Sequence, residues 1–169
     1  MKKMIALTLA VLMLLMMTAC GSKPADDGKY TIGICQLVTH DALDAATNGF
    51  MQAVKDKLGE ENVTFDLQNA AGDSNTCASI ANAFVAAEVD LIMANATPAL
   101  QAAQAATADI PILGTSVTEY GVALDIQDFT GTVGGNVSGT SDLAPLAEQA
   151  AMLLEWFPEA KNVALVYCS

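Results

Sequence analysis

The stretch that decides the fold runs from Tyr30 to Leu58, where residues 30–36 read YTIGICQ and residues 41–58 read DALDAATNGFMQAVKDKL. The first run is short and largely apolar, which is typical of a buried strand. The second run carries apolar residues at helical spacing, with Asp41 as the expected N-cap and Gly59 as the stop signal. A buried strand that leads into an amphipathic helix predicts the first half of a βαβ unit.

The same alternation of apolar runs and amphipathic stretches continues toward the C-terminus. Further strands are predicted at residues 62–67, 91–94, 112–114 and 162–167, and further helices at 74–87, from Thr97 onward, and at 142–156. Thr97 is expected to cap its helix, with Pro98 at the first helical position, and residues 117–136 are expected to be irregular. The pattern predicts an α/β fold in which helices flank a parallel sheet.

In such a sheet, ligands bind outside the carboxyl ends of the strands. This rule selects four loops, at residues 36–41, 69–73, 95–98 and 115–120, all rich in hydroxyl and amide groups. The third loop leads into a helix whose free N–H groups favour an anion. Because the chain contains no arginine, a ligand carboxylate would be held by backbone N–H groups together with Thr97 and Ser116. The alternative is that Thr97 and Pro98 only begin a helix.

Signs of catalysis are weak in this sequence. His40, the only histidine, lies in the first of these loops and is open to three interpretations: a ligand contact, a general base or a solvated residue. No nucleophile-elbow, zinc-protease or P-loop motif accompanies it. The glycine-rich run 131–139 does not match a phosphate-binding loop and is expected to let the chain turn between two lobes. We therefore expect no enzyme activity and no cofactor.

Charge and cysteine content exclude further classes of function. The formal net charge is −12, which argues against nucleic acid as a partner because phosphates require clustered Lys or Arg. The cysteines stand at positions 20, 35, 77 and 168 without a CxxC spacing, so the sequence predicts no metal site. Cys35, Cys77 and Cys168 are expected to be buried thiols.

The N-terminus carries the pattern of an export signal. Lys2 and Lys3 precede an uncharged apolar run at residues 4–17, which is shorter than a membrane-spanning helix. The following residues 17–20, MTAC, resemble the lipobox of bacterial lipoproteins, which predicts a signal peptide at 1–19, lipidation of Cys20 and attachment to the outer face of the cell membrane. The alternative is an ordinary signal peptide with an incidental Cys20. Residues 20–29 are expected to form a flexible tether.

Several stretches, in the same order along the chain, resemble ABC transporter substrate-binding proteins of the tryptophan/tyrosine-binding type. They are residues 30–36, 40–45, 49–50, 90–92, 96–98, 110–112, 135–142 and 156–163. The resemblance implies a two-lobed, type I periplasmic-binding-protein fold that closes on a solute. It places the N-terminal lobe at residues 30–138 and the start of a C-terminal lobe at 139–169. Because that lobe would be incomplete and the chain stops two residues after an expected strand, the sequence is expected to be a fragment or a truncated gene model.

The resemblance also implies a function. The solute would be an aromatic amino acid, and the partners would be the permease and ATPase subunits of an importer. The implied ligand-binding residues are Gln36, Thr39, His40, Ala96, Thr97, Ser116, Val117 and Thr118. Two alternatives remain open from the sequence: a sensor or receptor lipoprotein of the same fold without a transport role, and an enzyme of flavodoxin-like architecture.

Overall fold

The structure, a computed structural model, describes residues 28–166 of the chain. The predicted signal peptide, the predicted lipidation site Cys20 and the cysteine at position 168 lie outside the described residues. Among residues 28–166, no helix has both the length and the apolar character needed to cross a membrane.

Strands and helices alternate along the described chain. The strands are β1 (Tyr30–Gln36), β2 (Val63–Asn69), β3 (Leu91–Asn95), β4 (Ile112–Val117) and β5 (Val137–Ser141). The helices are α1 (Asp41–Leu58), α2 (Ser74–Ala86), α3 (Thr97–Ala106), the short α4 (Tyr120–Ala123) and α5 (Leu146–Trp156), with one 3-10 turn at Glu60–Asn62. The expected α/β class is confirmed.

All five strands are parallel and form one sheet in the order β2-β1-β3-β4-β5. β1 therefore lies between β2 and β3, with Gln36 opposite Asn69 on one side and opposite Asn95 on the other. From β1 the chain first adds β2 on one side of the sheet and then adds β3, β4 and β5 on the other side. The position between β1 and β3 is therefore a topological switch point, where a crevice opens outside the carboxyl ends of the strands. The topology thus places the ends of β1 and β3 at the expected ligand edge.

Two apolar clusters hold the helices against the sheet. On one face, Ile32, Ile34 and Met93 pack against apolar side chains of α1 such as Phe50. On the other face, a larger cluster joins the sheet to α2 and α3, with the fully buried Phe84 of α2 among its members. The alternation of β1 side chains between these clusters follows from the two-residue period of a strand.

The first half of the chain follows the sequence closely, because its periodicity is local and strong. β1 and α1 have the predicted bounds. The expected N-cap Asp41 is wrong, however: His40 caps α1, with its Nδ1 accepting a hydrogen bond from the N–H of Ala42 at 3.2 Å. Gly59 ends the helix with a φ of 89°, a conformation that glycine adopts readily.

The later elements depart from the prediction. β5 was not predicted, and it runs through the lobe boundary expected after Ser138. α5 begins at Leu146 rather than at 142, because Pro145 disfavours helical geometry in the residue before it. Residues 162–166 do not form the expected strand. Gly131, Gly134 and Gly135 do adopt positive φ values, as expected for turns in the glycine-rich run.

Candidate functional site

Two buried side-chain amides lie at the switch point between β1 and β3. Gln36 ends β1 and is 4% exposed, and Asn95 ends β3 and is fully buried. Backbone hydrogen bonds connect the strand ends at this edge. The N–H of Leu37 donates to the carbonyl of Asn95, and the N–H of Ala70 donates to the carbonyl of Gln36. Buried polar side chains need hydrogen-bond partners, and α1 supplies them.

A chain of hydrogen bonds connects these amides to α1. The Asn95 Nδ2 donates to Thr47 Oγ1 at 2.9 Å and to the carbonyl of Leu43 at 2.8 Å. Thr47 is 2% exposed and donates from its hydroxyl to Gln36 Oε1 at 2.7 Å. Gln36 Nε2 then donates to Asp44 Oδ1 at 2.5 Å. The network fixes the side-chain orientations from the core to the rim of the sheet edge.

One acceptor of this network has no partner. Among the described residues, Asn95 Oδ1 is buried and receives no hydrogen bond. A buried polar atom without a partner costs on the order of 1–3 kcal/mol. Such a cost is tolerated most often at functional sites, where backbone and side chains depart from their local optimum.

A cavity of about 450 Å³ opens beside this network, between α1 and the carboxyl ends of β1 and β2. Six of its seven lining residues are polar in type; the lining consists of Gln36, Thr39, Asp44, Thr47, Asn48, Leu67 and Asn69. Asn69 Nδ2 donates to Thr39 Oγ1 at 3.2 Å, so the loop after β1 is joined to the end of β2 beside the cavity. Asp44, Thr47 and Asn48 were not among the predicted site residues, and Asn95 was predicted only as part of the loop at residues 95–98. The sequence signal that could have identified the α1 residues is their spacing, since they are polar and lie about one helical turn apart near the start of the helix.

The ends of β3 and β4 carry strained backbone. Ala96 has φ 92° and ψ 158°, a region that residues other than glycine rarely occupy, and Ser116 has φ 54°. Strain of this kind clusters at ligand-binding positions. The N–H of Ala96 donates to the carbonyl of Thr115 at 3.0 Å, which holds the two strand ends together.

The start of α3 leaves Thr97 without the expected capping role. α3 begins at Thr97 itself, its N-cap is Ala96, and no side chain caps it, so the expectation that Thr97 caps the helix is wrong. Pro98 stands in the first turn as predicted. No side-chain cap therefore satisfies the first N–H groups of α3, which lie beside the Thr97 hydroxyl at this edge.

The other predicted residues take different positions at the same edge. Thr39, His40 and Thr118 are exposed, and the Thr118 carbonyl accepts a hydrogen bond from Ser141 Oγ at 2.6 Å. The Val117 side chain is fully buried in the larger apolar cluster, so only its backbone lies at the rim. The Val117 carbonyl accepts the N–H of Asp142. The eight predicted residues thus share one sheet edge, with their polar groups concentrated at the ends of β1, β3 and β4.

A second cavity, of about 590 Å³, lies beside β5 and the loop before it. Its walls are largely apolar and include Tyr120, Phe129, Val133, Val137 and Leu143. Burial and the nearby Asp142 charge raise the pKa of the Tyr120 hydroxyl, which donates to the carbonyl of Thr140. We place the candidate site at the switch point, because the buried polar network and the strained backbone lie there.

One carboxylate near this edge, that of Asp73, already has hydrogen-bond partners. Asp73, in the loop after β2, caps α2, and hydrogen bonds from the N–H and hydroxyl of Thr76 lower its pKa. Among residues 28–166, no three His, Cys, Asp or Glu side chains are grouped closely enough to hold a metal ion.

Comparison with known proteins assigns the family. The family model described as ABC transporter substrate binding protein matches residues 31–169. The chain belongs to this family. The tyrosine-binding protein of Clostridioides difficile (strain R20291) is 40% identical over 183 aligned positions, which cover 98% of this chain and 52% of that protein. The chain therefore spans about half the length of this curated relative.

Three solved structures share the fold. A ligand-free, open substrate-binding protein with adhesive properties from Clostridium difficile is 43% identical, with a TM-score of 0.66, over 78% of this chain and 45% of that one. An ABC domain in complex with L-Trp from Streptococcus pneumoniae is 30% identical, with a TM-score of 0.68, over 75% and 43% of the two chains. A conserved domain protein from Vibrio cholerae is 33% identical, with a TM-score of 0.71, over 78% and 45%. These coverages agree with one lobe of a two-lobed substrate-binding protein, as the sequence predicted.

Proposed function

We propose that this substrate-binding protein captures an aromatic amino acid at the switch-point edge and delivers it to the permease of an ABC importer without catalysing a reaction. The observation that carries the proposal is the position of the uncapped Thr97 and the strained Ala96 beside the buried Gln36–Thr47–Asn95 network. The names of two relatives, a tyrosine-binding protein and an L-Trp complex, support an aromatic ligand.

The chemistry of the edge suits an amino acid. The carboxylate would be held by the first N–H groups of α3 and by the hydroxyls of Thr97 and Ser116, because the chain has no arginine to do so. The ammonium group would find acceptors on the α1 side, where Asp44 is half-buried. A second lobe would close over the side chain, and contact with both lobes would stabilise the closed state.

Loss of the Thr97 hydroxyl should weaken binding. Thr97→Val keeps the shape of the side chain, so we expect about a tenfold rise in Kd for the aromatic amino acid that binds, the effect of one lost hydrogen bond to a charged group. The measurement is isothermal titration of the full-length protein, starting at Gly21, with tryptophan, tyrosine and phenylalanine.

Thr31→Val is the matched control, because Thr31 is exposed near the opposite end of β1. We expect an unchanged Kd for this variant. If none of the three amino acids binds to the unaltered protein, the proposed ligand class is wrong. Equal affinity of the Thr97→Val and Thr31→Val variants would remove Thr97 from the site.

We further propose that Cys20 is acylated and holds the protein at the outer face of the cell membrane, on the basis of the MTAC motif at residues 17–20. Two or more acyl chains suffice for stable anchoring, since each buried CH₂ contributes about 0.8 kcal/mol. Cells fed a labelled fatty acid should label the unaltered protein, whereas the Cys20→Ser variant should carry no label. Label on the Cys20→Ser variant would disprove acylation at this residue.

A further inference from the structure

Two cysteines that the candidate site does not use lie together in the core. Cys35 is the penultimate residue of β1, and Cys77 lies in the first turn of α2. Both are fully buried and belong to the same apolar cluster. Both are reduced, and they are the free cysteines among the described residues.

The two cysteines lie where the start of α2 meets the end of β1, because the N–H of Gly72, just before α2, donates to the carbonyl of Leu37 at 2.7 Å. Burial raises the pKa of Cys35, and the presence of Cys77 raises it further, which agrees with this placement. The backbone supports this placement, because the N–H of Cys77 donates to the carbonyl of Asp73, the residue that caps α2. β1 and α2 also meet in the packed core around Phe84. Two packed elements thus hold both cysteines in the same part of the core.

We propose that Cys35 and Cys77 form a disulfide when the protein folds in the presence of a disulfide oxidant, and that this bond ties β1 to the first turn of α2. One cysteine thiolate attacks the oxidant, for example oxidised glutathione, and releases one glutathione. The second cysteine attacks the mixed disulfide, which forms the Cys35–Cys77 bond and releases the second glutathione. The protein loses two electrons and two protons, and the oxidant gains both.

Folding is the stage at which this reaction proceeds. In the folded state, burial and the adjacent Cys77 raise the pKa of Cys35 to about 12, and burial also raises the pKa of Cys77. Because the thiolate is the reactive form, the folded and reduced pair reacts slowly. The unfolded chain exposes both thiols at ordinary pKa values, and native packing then brings the two sulfur atoms together. The outer face of a cell membrane, where we place the protein, permits such bonds.

The test is oxidative refolding of the full-length protein starting at Gly21. The protein is unfolded with reductant and refolded either in a mixture of oxidised and reduced glutathione or in reductant alone. N-ethylmaleimide then blocks free thiols, and pepsin digests the protein at low pH, where thiol–disulfide exchange is slow. Mass spectrometry of the unreduced digest should show a Cys35 peptide linked to a Cys77 peptide. Maleimide on both residues, or a bond from either one to another cysteine, would overturn the proposal.

Thermal unfolding provides a second measurement. A disulfide that closes a loop of roughly 40 residues should raise the Tm of the oxidised sample by roughly 5–10 °C over the reduced one. Cys77→Ala should abolish this difference, whereas Cys168→Ala should retain it. Should the Cys77→Ala variant fail to fold, the peptide map of the unaltered protein decides the matter by itself. Neither measurement depends on a ligand or on the anchor.

Discussion

Phe84→Ala is expected to lower the free energy of unfolding by about 3–5 kcal/mol, a large part of the roughly 5–15 kcal/mol that stabilises a typical domain. Phe84 is 1% exposed, and its ring fills the space that α2 leaves above Gly33 of β1. Removal of the ring leaves a cavity at the junction of sheet and helix that the surrounding core cannot close. Urea denaturation followed by circular dichroism measures the change, which should appear as a lower midpoint at an unchanged slope.

Val122→Ala is the control for this prediction. The side chain of Val122 is 82% exposed, so its truncation should change the free energy of unfolding by less than about 0.5 kcal/mol. A cost below about 1 kcal/mol for Phe84→Ala would contradict the packing of α2 described here.

Gly33→Ala is expected to cost about 1–3 kcal/mol, although alanine normally suits a strand better than glycine does. A Cβ at position 33 would lie 2.7 Å from two carbons of the Phe84 ring, closer than real contacts allow. The ring is buried and cannot move without displacing its neighbours, so the added methyl group strains the core. The same denaturation experiment measures this loss.

The matched control is the same substitution in α1. A Cβ at Gly49 would meet no atom within 4 Å, and the residue is exposed. Gly49→Ala should therefore stabilise the protein by about 0.5–1 kcal/mol, because alanine has the higher helix propensity. The double variant Gly33→Ala/Phe84→Ala should lose less than the sum of its single changes, since the new methyl group occupies the vacated space. Additive losses would show that Gly33 and Phe84 are not in contact.

Much of the fold could be predicted from the sequence because its signals are local. The bounds of β1 and α1 follow from apolar periodicity and from Gly59. β5 has no comparable signal: apart from Val137 its residues are serine, glycine and threonine, and it is a strand because β4 offers a free edge for pairing. Conversely, residues 162–166 have the composition of a strand but pair with no strand in the described part of the chain.

The candidate site was predicted only in outline. The rule that ligands bind at the carboxyl ends of parallel strands led to Gln36, Thr97 and Ser116 without knowledge of the strand order. It selected the loop that contains Asn95 but did not lead to Thr47, because the hydrogen bond between them joins residues 48 positions apart and depends on how α1 crosses β3. The positive φ of Ala96 could not be predicted from the sequence either, because alanine at a position does not indicate a strained backbone there.

The direction of β1 would also set a geometric limit on the protein if it is anchored through Cys20 as proposed. The chain enters the sheet at Tyr30, at the amino end of β1, whereas the candidate site lies at the carboxyl end, six residues or about 20 Å away. With acylation at Cys20, residues 20–29 would extend to about 33–36 Å at most. That reach exceeds the length of β1 by about 15 Å, so the lobe could turn its binding edge toward a permease in the same membrane but could not travel far from it. Shortening this segment by half should therefore hinder delivery of the solute while leaving its capture intact.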